Sequence, residues 1–153
     1  MIKIFGIGNI LLCDDGIGVK VIEVIGREVE NYGENVKVIL GETDYLYCLD
    51  QIEDEDIVII VDSTFLGRKA GEVSSYTFQQ SDDFISDCRD MHSDSLLKIL
   101  RKEYRHIQGY LIGIEVEKVD YSLELSKTLD DKFLNITMDV IEEIKTIVKL
   151  TKY

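Results

Sequence analysis

The sequence predicts an α/β fold: a single domain over residues 1–153, arranged as a three-layer sandwich with helices on both faces of a twisted, mostly parallel sheet. Short apolar segments typical of buried strands alternate with longer segments in which apolar residues recur at helical spacing. Such alternation favours parallel strands joined by right-handed crossovers. A length of 153 residues, 45 % of them hydrophobic, fits one core of ordinary size.

Three strands and two helices are predicted in the first half of the chain. The third strand is apolar and β-branched throughout, which is typical of a central strand buried on both faces. The predicted strands are Ile2 to Ile7, Val36 to Leu40 and Ile57 to Val61. The predicted helices are Gly16 to Glu30, with Ile17, Val21, Val24 and Ile25 facing inward, and Asp44 to Ile52, with Leu46 and Leu49 facing inward.

The second half continues the alternation with less regular segments. An alternating stretch predicts one more strand, over Glu72 to Phe78, and a polar stretch, Ser81 to Met91, predicts a loop. The remaining predicted elements are a helix over Ser93 to Arg105 with Leu96, Leu97, Leu100 and Tyr104 inward, a strand over Tyr110 to Ile114, a loop over Glu115 to Leu125, and a last helix from Ser126. One apolar face of this last helix is formed by Phe133, Ile136, Val140, Ile144 and Ile147.

Composition and charge argue against several classes of partner. With 30 acidic and 17 basic residues the chain has a formal net charge of −13, whereas nucleic acid and anionic membranes attract basic surfaces. No signal-peptide pattern is present, and no apolar stretch reaches the ~18 to 20 residues of a membrane helix. Cys13, Cys48 and Cys88 form no C-x-x-C pair, which is ordinary usage for a reducing compartment. We therefore expect a cytoplasmic monomer that binds neither nucleic acid nor membrane.

Two aspartates follow a glycine-rich turn where the first strand leads into the first helix. In open α/β sheets, ligands bind at such strand ends. A dinucleotide is disfavoured there, because Leu11 replaces the third glycine of the fingerprint and the acids would repel a pyrophosphate. Aspartate also caps helices, and Asp14 is the better candidate for that role. Asp15 is then left for metal binding or catalysis.

A second acid and a histidine complete a candidate site. If the strand order begins 2-1-3, the carboxyl ends of strands one and three open side by side, and Asp62 faces Asp15. Turn formation with Ser63 is an equally good reading of Asp62 taken alone. His92 precedes a helix that Ser93 or Asp94 can cap, whereas His106 lies in a charged stretch and is expected to be solvated. Two carboxylates and one imidazole suit nickel, zinc or iron.

These motifs resemble those of the hydrogenase maturation proteases, and the resemblance covers nearly the whole chain. The most specific segment is the first, and the ordered set is more specific still. The matching segments are Gly6-x-Gly-Asn-x-Leu-x-x-Asp-Asp-Gly-x-Gly18, Gly41-Glu-Thr43, Val61-Asp-Ser with Gly67 and Gly71, Met91-His-Ser-x-x-x-Leu97, Gly113-Ile-Glu115 and Tyr121-Ser-Leu-x-Leu-Ser126.

The resemblance implies a phosphorylase/hydrolase-like fold and an endopeptidase that removes the C-terminal extension of a [NiFe] hydrogenase large-subunit precursor after nickel insertion. It implies that Asp15, Asp62 and His92 bind the metal and carry catalysis. The nickel is expected to belong to the substrate and to serve as the recognition signal, so that the isolated protein binds it weakly or not at all. Many members have Glu where this chain has Asp15, and proline where it has Ala70 and Val116.

Other residues of the matching segments are expected to shape the site. Gly8 and Gly16 are expected to form the loop, Asn9 to brace it by side-chain hydrogen bonds, and Gly41 and Thr43 to contribute to a cleft. Two alternatives stay open: a protease of the same fold with another protein target, such as a spore protein, or a module that binds a metal-loaded partner without cutting it. A small-molecule metallohydrolase is a weaker third.

Overall fold

The structure, a computed structural model, describes residues 1–85 and 95–151 and arranges them as five strands and five α-helices. A short 3-10 turn, Cys13–Gly16, precedes the first helix. The strands are β1 (Ile2–Ile7), β2 (Val36–Glu42), β3 (Ile57–Thr64), β4 (Val73–Thr77) and β5 (Gln108–Glu115). The helices are α1 (Ile17–Glu30), α2 (Tyr45–Asp50), α3 (Phe78–Ile85), α4 (Leu96–Glu103) and α5 (Lys127–Leu150).

The sheet has the order β2-β1-β3-β5-β4, in which β4 alone is antiparallel to its neighbour. The predicted mostly parallel sheet and its 2-1-3 start are confirmed. Gly6 of β1 is in register with Val61 of β3, so the two strands reach their carboxyl ends side by side. This reversal of strand order opens a crevice at that edge of the sheet.

Helices cover both faces of the sheet and enclose two apolar cores. One core lies between the sheet and helices α1 and α5, and the other lies under α2, α3 and α4. Four consecutive residues of β3, Val58 to Val61, are fully buried, as expected for a central strand between two helical layers. Helix α1 begins so close to the sheet that a Cβ atom at Gly18 would collide with the Val61 carbonyl oxygen.

Helix α3 corrects the prediction of a loop over Ser81 to Met91. Thr77 and Gln80 form a reciprocal cap: the Thr77 N–H donates to Gln80 Oε1 at 2.8 Å, and the Gln80 N–H donates to Thr77 Oγ1 at 3.2 Å. The helix buries Phe78 and Ser81 completely, and its outer face is polar. The remainder of the predicted loop, from residue 86, lies outside the described residues.

Three residues predicted to face inward are exposed. Val24 is 64 %, Leu46 63 % and Tyr104 40 % exposed. Cys48 is fully buried where Leu46 was expected, because α2 turns that side toward β2. The other predicted inward residues of α1, α4 and α5 are buried or pack against the cores.

A buried ion pair closes the amino end of the sheet. Asp56 Oδ2 lies 2.7 Å from the Lys3 ammonium, and Oδ1 lies 2.7 Å from the amino group of Met1. Burial alone would raise the pKa of Asp56, but the hydrogen bonds from Lys3 and the amino group outweigh it and lower the pKa to about 2. The negative charge of Asp56 at this end of the sheet is therefore balanced by neighbouring ammonium groups.

Candidate active site

The loop of residues 8–16, called the acid loop below, leaves β1 through Gly8. Gly8 has a φ of +138°, and a Cβ atom there would collide with the Asp15 carbonyl oxygen. A Cβ atom at Gly16 would lie 2.8 Å from Ile10 Cα, so the loop also closes tightly at its far end. Asn9 Oδ1 accepts the Leu11 N–H at 2.9 Å. The expected roles of Gly8, Gly16 and Asn9 in shaping this loop agree with the structure.

Asp14 does not cap helix α1, and that prediction was wrong. The position before α1 is Gly16, which makes no side-chain cap bond. The Asp14 carboxylate is fully buried and accepts backbone N–H groups of Glu117 at 3.1 Å, Lys118 at 2.9 Å and Ser126 at 2.7 Å. It therefore ties the acid loop to the loop between β5 and α5.

Asp15 and Asp62 are brought together by Ser63, the second-last residue of β3. The Ser63 hydroxyl donates to Asp15 Oδ1 at 2.9 Å, and the Ser63 N–H donates to Asp62 Oδ1 at 2.7 Å. The second oxygen of Asp15 accepts the Asn9 N–H at 3.0 Å. The two carboxylates thus lie at the neighbouring ends of β1 and β3, at the crevice.

This acid pair has no basic partner among residues 1–85 and 95–151. None of the hydrogen bonds or ion pairs described there joins a Lys or Arg side chain to Asp15 or Asp62. Burial, and then the nearby charge of Asp15, raise the pKa of Asp62 to about 7. Two neighbouring acids that lack a counter-charge in the described part of the chain favour either a shared proton or a bound cation.

The acid pair lies in a cleft of about 250 Å³ whose remaining lining is mainly apolar. Thr43 lines the cleft as expected, but Gly41 does not: it is buried behind the cleft, where a Cβ atom would collide with Cys48. The apolar lining consists of Ile7, Tyr45, Phe65, Leu66, Phe84, Ile85, Leu96, Leu97 and Leu111. A mainly apolar cleft with a few polar groups at one place is typical of a ligand or substrate site.

Glu115 was expected only as part of a motif, and the structure gives it a definite contact. Its carboxylate is buried and accepts the N–H groups of Leu66 at 2.8 Å and Arg68 at 3.2 Å, together with the Thr64 hydroxyl at 3.1 Å. It thereby holds the loop after β3, which places Phe65 and Leu66 in the cleft wall.

Glu42 also lines the cleft, although no pattern in the sequence predicted a role for it. Its φ of +49° is uncommon for a residue with a side chain. A hydrogen bond of 3.0 Å from the Gly8 N–H to the Glu42 carbonyl stabilises this backbone conformation and connects the end of β2 to the acid loop. Strained residues of this kind cluster at functional sites.

His92 lies outside the described residues, so its place beside the acids stays a prediction. Within residues 1–85 and 95–151, no three His, Cys, Asp or Glu side chains are grouped closely enough to hold a metal ion. Helix α4 is capped by Ser95, whose hydroxyl accepts the Lys98 N–H at 3.3 Å, and not by Ser93 or Asp94 as expected. His106 is exposed and lies 3.0 Å from Asp54, in agreement with a solvated role.

Comparison with known protein families shows which family the chain belongs to. Residues 19–148 match the family model described as hydrogenase maturation protease, which covers most of the sequence. The chain belongs to the hydrogenase maturation protease family. No α-helix in the described part of this family member is both long enough and apolar enough to cross a membrane.

Individual relatives also support membership of this family, at low sequence identity. A Methanocaldococcus jannaschii protein named as a hydrogenase maturation protease is 27 % identical over 93 % of this chain and 89 % of its own length. The hydrogenase expression/formation protein HupD of Bradyrhizobium diazoefficiens is 35 % identical over 47 % of this chain. That match spans only 37 % of the length of HupD, and a match to HupD of Thiocapsa roseopersicina spans 31 %.

Solved structures of the family share the fold. An Escherichia coli endopeptidase superimposes with a TM-score of 0.76 at 20 % identity, over 95 % of this chain and 92 % of that one. The hydrogenase maturating endopeptidase HybD of E. coli gives a TM-score of 0.70 at 19 % identity, with the same coverage. The predicted α/β sandwich is confirmed by these structures.

Proposed function

We propose that this chain is an endopeptidase that removes the C-terminal extension of a [NiFe] hydrogenase large-subunit precursor after nickel has been inserted. Membership of the hydrogenase maturation protease family supports the reaction class. The observation that carries the proposal is the pairing of Asp15 with Asp62 on Ser63, inside a cleft and without a basic partner among the described residues.

The acid pair is suited to recognise nickel carried by the substrate. Without a cation, the raised pKa of Asp62 leaves the pair partly protonated near neutral pH. A divalent ion displaces that proton, because metal-binding carboxylates must be ionised. With His92 as the third ligand, the set of two carboxylates and one imidazole suits nickel and leaves coordination positions to the substrate. A precursor that lacks nickel offers no cation to the acids and is not cut.

Cleavage adds the oxygen of a water molecule to the carbonyl carbon of the scissile peptide bond and transfers a proton to the departing amine. One route polarises the carbonyl group on the nickel of the substrate. The other uses a carboxylate of the acid pair as the general base that takes a proton from the attacking water. Under either route, the apolar wall formed by Phe65, Leu66 and Leu97 contacts side chains that flank the bond.

Intact mass of the precursor tests this function. A [NiFe] large-subunit precursor, nickel-loaded or nickel-free, is incubated with the wild-type protein, with Asp15→Asn, or with Asp139→Asn as a control that removes an exposed acid from α5. We expect loss of a C-terminal peptide only from the nickel-loaded precursor, and only with the wild type and the control.

Each other result favours a different function. Equal trimming of the nickel-free precursor would contradict nickel recognition. It would favour a protease of the same fold that recognises its protein target in another way. An unchanged mass in a stable complex with the nickel-loaded precursor would refute the peptidase and favour a binding module.

A further inference from the structure

Two loops beside the candidate active site are locked together by a buried carboxylate. Asp14 of the acid loop binds three backbone N–H groups of the segment 117–126, which follows β5. Two backbone hydrogen bonds add to this clamp, from the Cys13 N–H to the Ser122 carbonyl at 2.8 Å and from the Ser122 N–H to the Leu11 carbonyl at 3.0 Å. The segment has no helix or extended strand of its own, yet its backbone is held at several points.

These clamped loops present four large apolar side chains to solvent. The exposed fractions are 57 % for Leu11, 50 % for Val119, 90 % for Tyr121 and 67 % for Leu123. A bridge pairs Leu12 with Ser122, which places Leu11 beside Tyr121 on the paired segments. We name these four residues the apolar platform. Exposed apolar side chains on neighbouring, hydrogen-bonded loops are typical of protein-interaction surfaces.

The platform is directly connected to the acid pair. The Leu11 N–H donates to Asn9 Oδ1, and the Asn9 N–H donates to Asp15 Oδ2. Two hydrogen bonds therefore separate the platform from a proposed nickel ligand. The acid loop thus contributes Leu11 to the platform and Asn9 and Asp15 to the lining of the cleft.

The charges around the platform favour a basic partner over a second copy of this chain. Lys118 lies 3.6 Å from Asp120, so these two charges offset each other. Neither Glu117 nor Glu124 has an ion pair among residues 1–85 and 95–151. Lys20 adds one positive charge, because its ammonium donates to the Leu123 carbonyl, so the rim keeps only a small excess of acid. In a second copy the same acidic rim would face this one, on chains that each carry a net charge of −13.

We propose that the apolar platform docks the folded body of the protein substrate, through an apolar patch bordered by basic side chains. The inference rests on the proposed function, because it needs a protein substrate. Docking there is separate from recognition by the acid pair: the platform binds the surface of the precursor, and Asp15 and Asp62 bind at the cleavage site.

A double variant of the platform tests the inference. Tyr121→Ser with Leu123→Ser is compared with Val24→Ser and Leu134→Ser, a matched control that removes two exposed apolar side chains from α1 and α5. Affinity for the nickel-loaded precursor is measured by biolayer interferometry, and trimming is followed over a range of precursor concentrations. We expect the platform variant to weaken binding by roughly tenfold or more and to raise KM with kcat nearly unchanged, whereas the control stays near wild type.

Charge reversal at the rim gives a second readout. Glu124→Lys is expected to weaken binding by about threefold to tenfold at low salt, with the difference shrinking as salt is added. Equal affinity of the platform variant and the wild type would overturn docking, whatever trimming shows. A wild-type dimer in sedimentation that the platform variant converts to a monomer would also overturn it, in favour of a second copy. Precursor that binds through the platform but keeps its mass would support docking and refute the proposed peptidase.

Discussion

Strand β3 carries an aspartate near each of its ends, and the two lie in opposite electrostatic surroundings. Before the strand, Asp56 lies within 2.7 Å of two ammonium groups, and its pKa falls to about 2 although it is buried. Near the far end, Asp62 lies beside another acid, and its pKa rises to about 7. At the amino end of the sheet the charge of Asp56 is neutralised, which stabilises the fold. At the carboxyl end, Asp15 and Asp62 have no basic partner among residues 1–85 and 95–151, and the pair is suited to a cation.

The largest expected effect is at the neutralised end. Asp56→Asn leaves the buried Lys3 ammonium without its carboxylate, and we expect a loss of about 3 kcal/mol in the free energy of unfolding. Urea unfolding at pH 7 measures this, with Asp139→Asn as a control that should change little. A loss below ~0.5 kcal/mol would show that the pair is not needed for stability.

The same pair predicts how stability changes in acid. The folded-state pKa of Asp56, about 2, is below its ordinary value of 3.8, so its contribution is present above that value and is lost as pH falls toward 2. Asp56→Asn should therefore unfold with a shallower acid dependence than the wild type.

At the open end, removal of a charge should stabilise the protein. The folded-state pKa of Asp62, about 7, lies above its ordinary value of 3.8, so folding takes up a proton between these values and wild-type stability falls as pH rises through this window. We expect metal-free Asp62→Asn to be more stable than the wild type by about 1 to 3 kcal/mol at pH 8. This advantage should disappear near pH 4. Thermal or urea unfolding at both pH values measures it, and a destabilised variant at pH 8 would contradict the comparison.

Ser63 gives a finer test of the comparison, because it contacts both acids of the pair. Ser63→Ala removes the hydroxyl that donates to Asp15, and we expect about 1 kcal/mol of destabilisation and roughly tenfold weaker binding of added Ni²⁺ in calorimetry. Ser63→Thr keeps the hydroxyl and should restore binding. Unchanged nickel affinity in Ser63→Ala would show that the acids are positioned by other contacts.

The smallest effect is expected where charges pair in solvent. Lys145 Nζ lies 3.0 Å from Glu142 Oε1, but the two side chains are 36 % and 72 % exposed. Glu142→Gln should change the free energy of unfolding by less than ~0.5 kcal/mol, because water already screens this pair. A larger loss of unfolding free energy in urea would mean that burial does not explain why the Asp56 ion pair contributes more to stability than ion pairs at the surface.

The strands and the positions of Asp15 and Asp62 could be predicted because both depend on local pattern and on one rule of topology. Each acid follows an apolar strand, and the carboxyl ends of neighbouring parallel strands meet at one edge. The contacts of Asp14 could not be predicted, because their partners lie 103 to 112 residues further along the chain. A helix cap was the nearest local explanation for Asp14, and it was wrong.

Helix α3 was missed for a different reason. Its cap, Thr77 with Gln80, is present in the sequence as a capping pattern, but the helix fully buries only Phe78 and Ser81. With so few buried positions, apolar periodicity was weak and the polar residues indicated a loop. The contacts of Glu115 with the loop after β3 likewise depend on strand pairing and not on any local pattern.

The long-range contacts of Asp14 also bear on when, during synthesis, the protein becomes able to bind a cation. Its carboxylate needs the N–H of Ser126, so the acid loop cannot reach its final form until the ribosome has delivered the segment that leads into α5. A nascent chain with β1 to β3 already paired would hold both acids without a settled loop between them. Competence to bind a cation should therefore arise late in synthesis, once contacts of long sequence separation have closed.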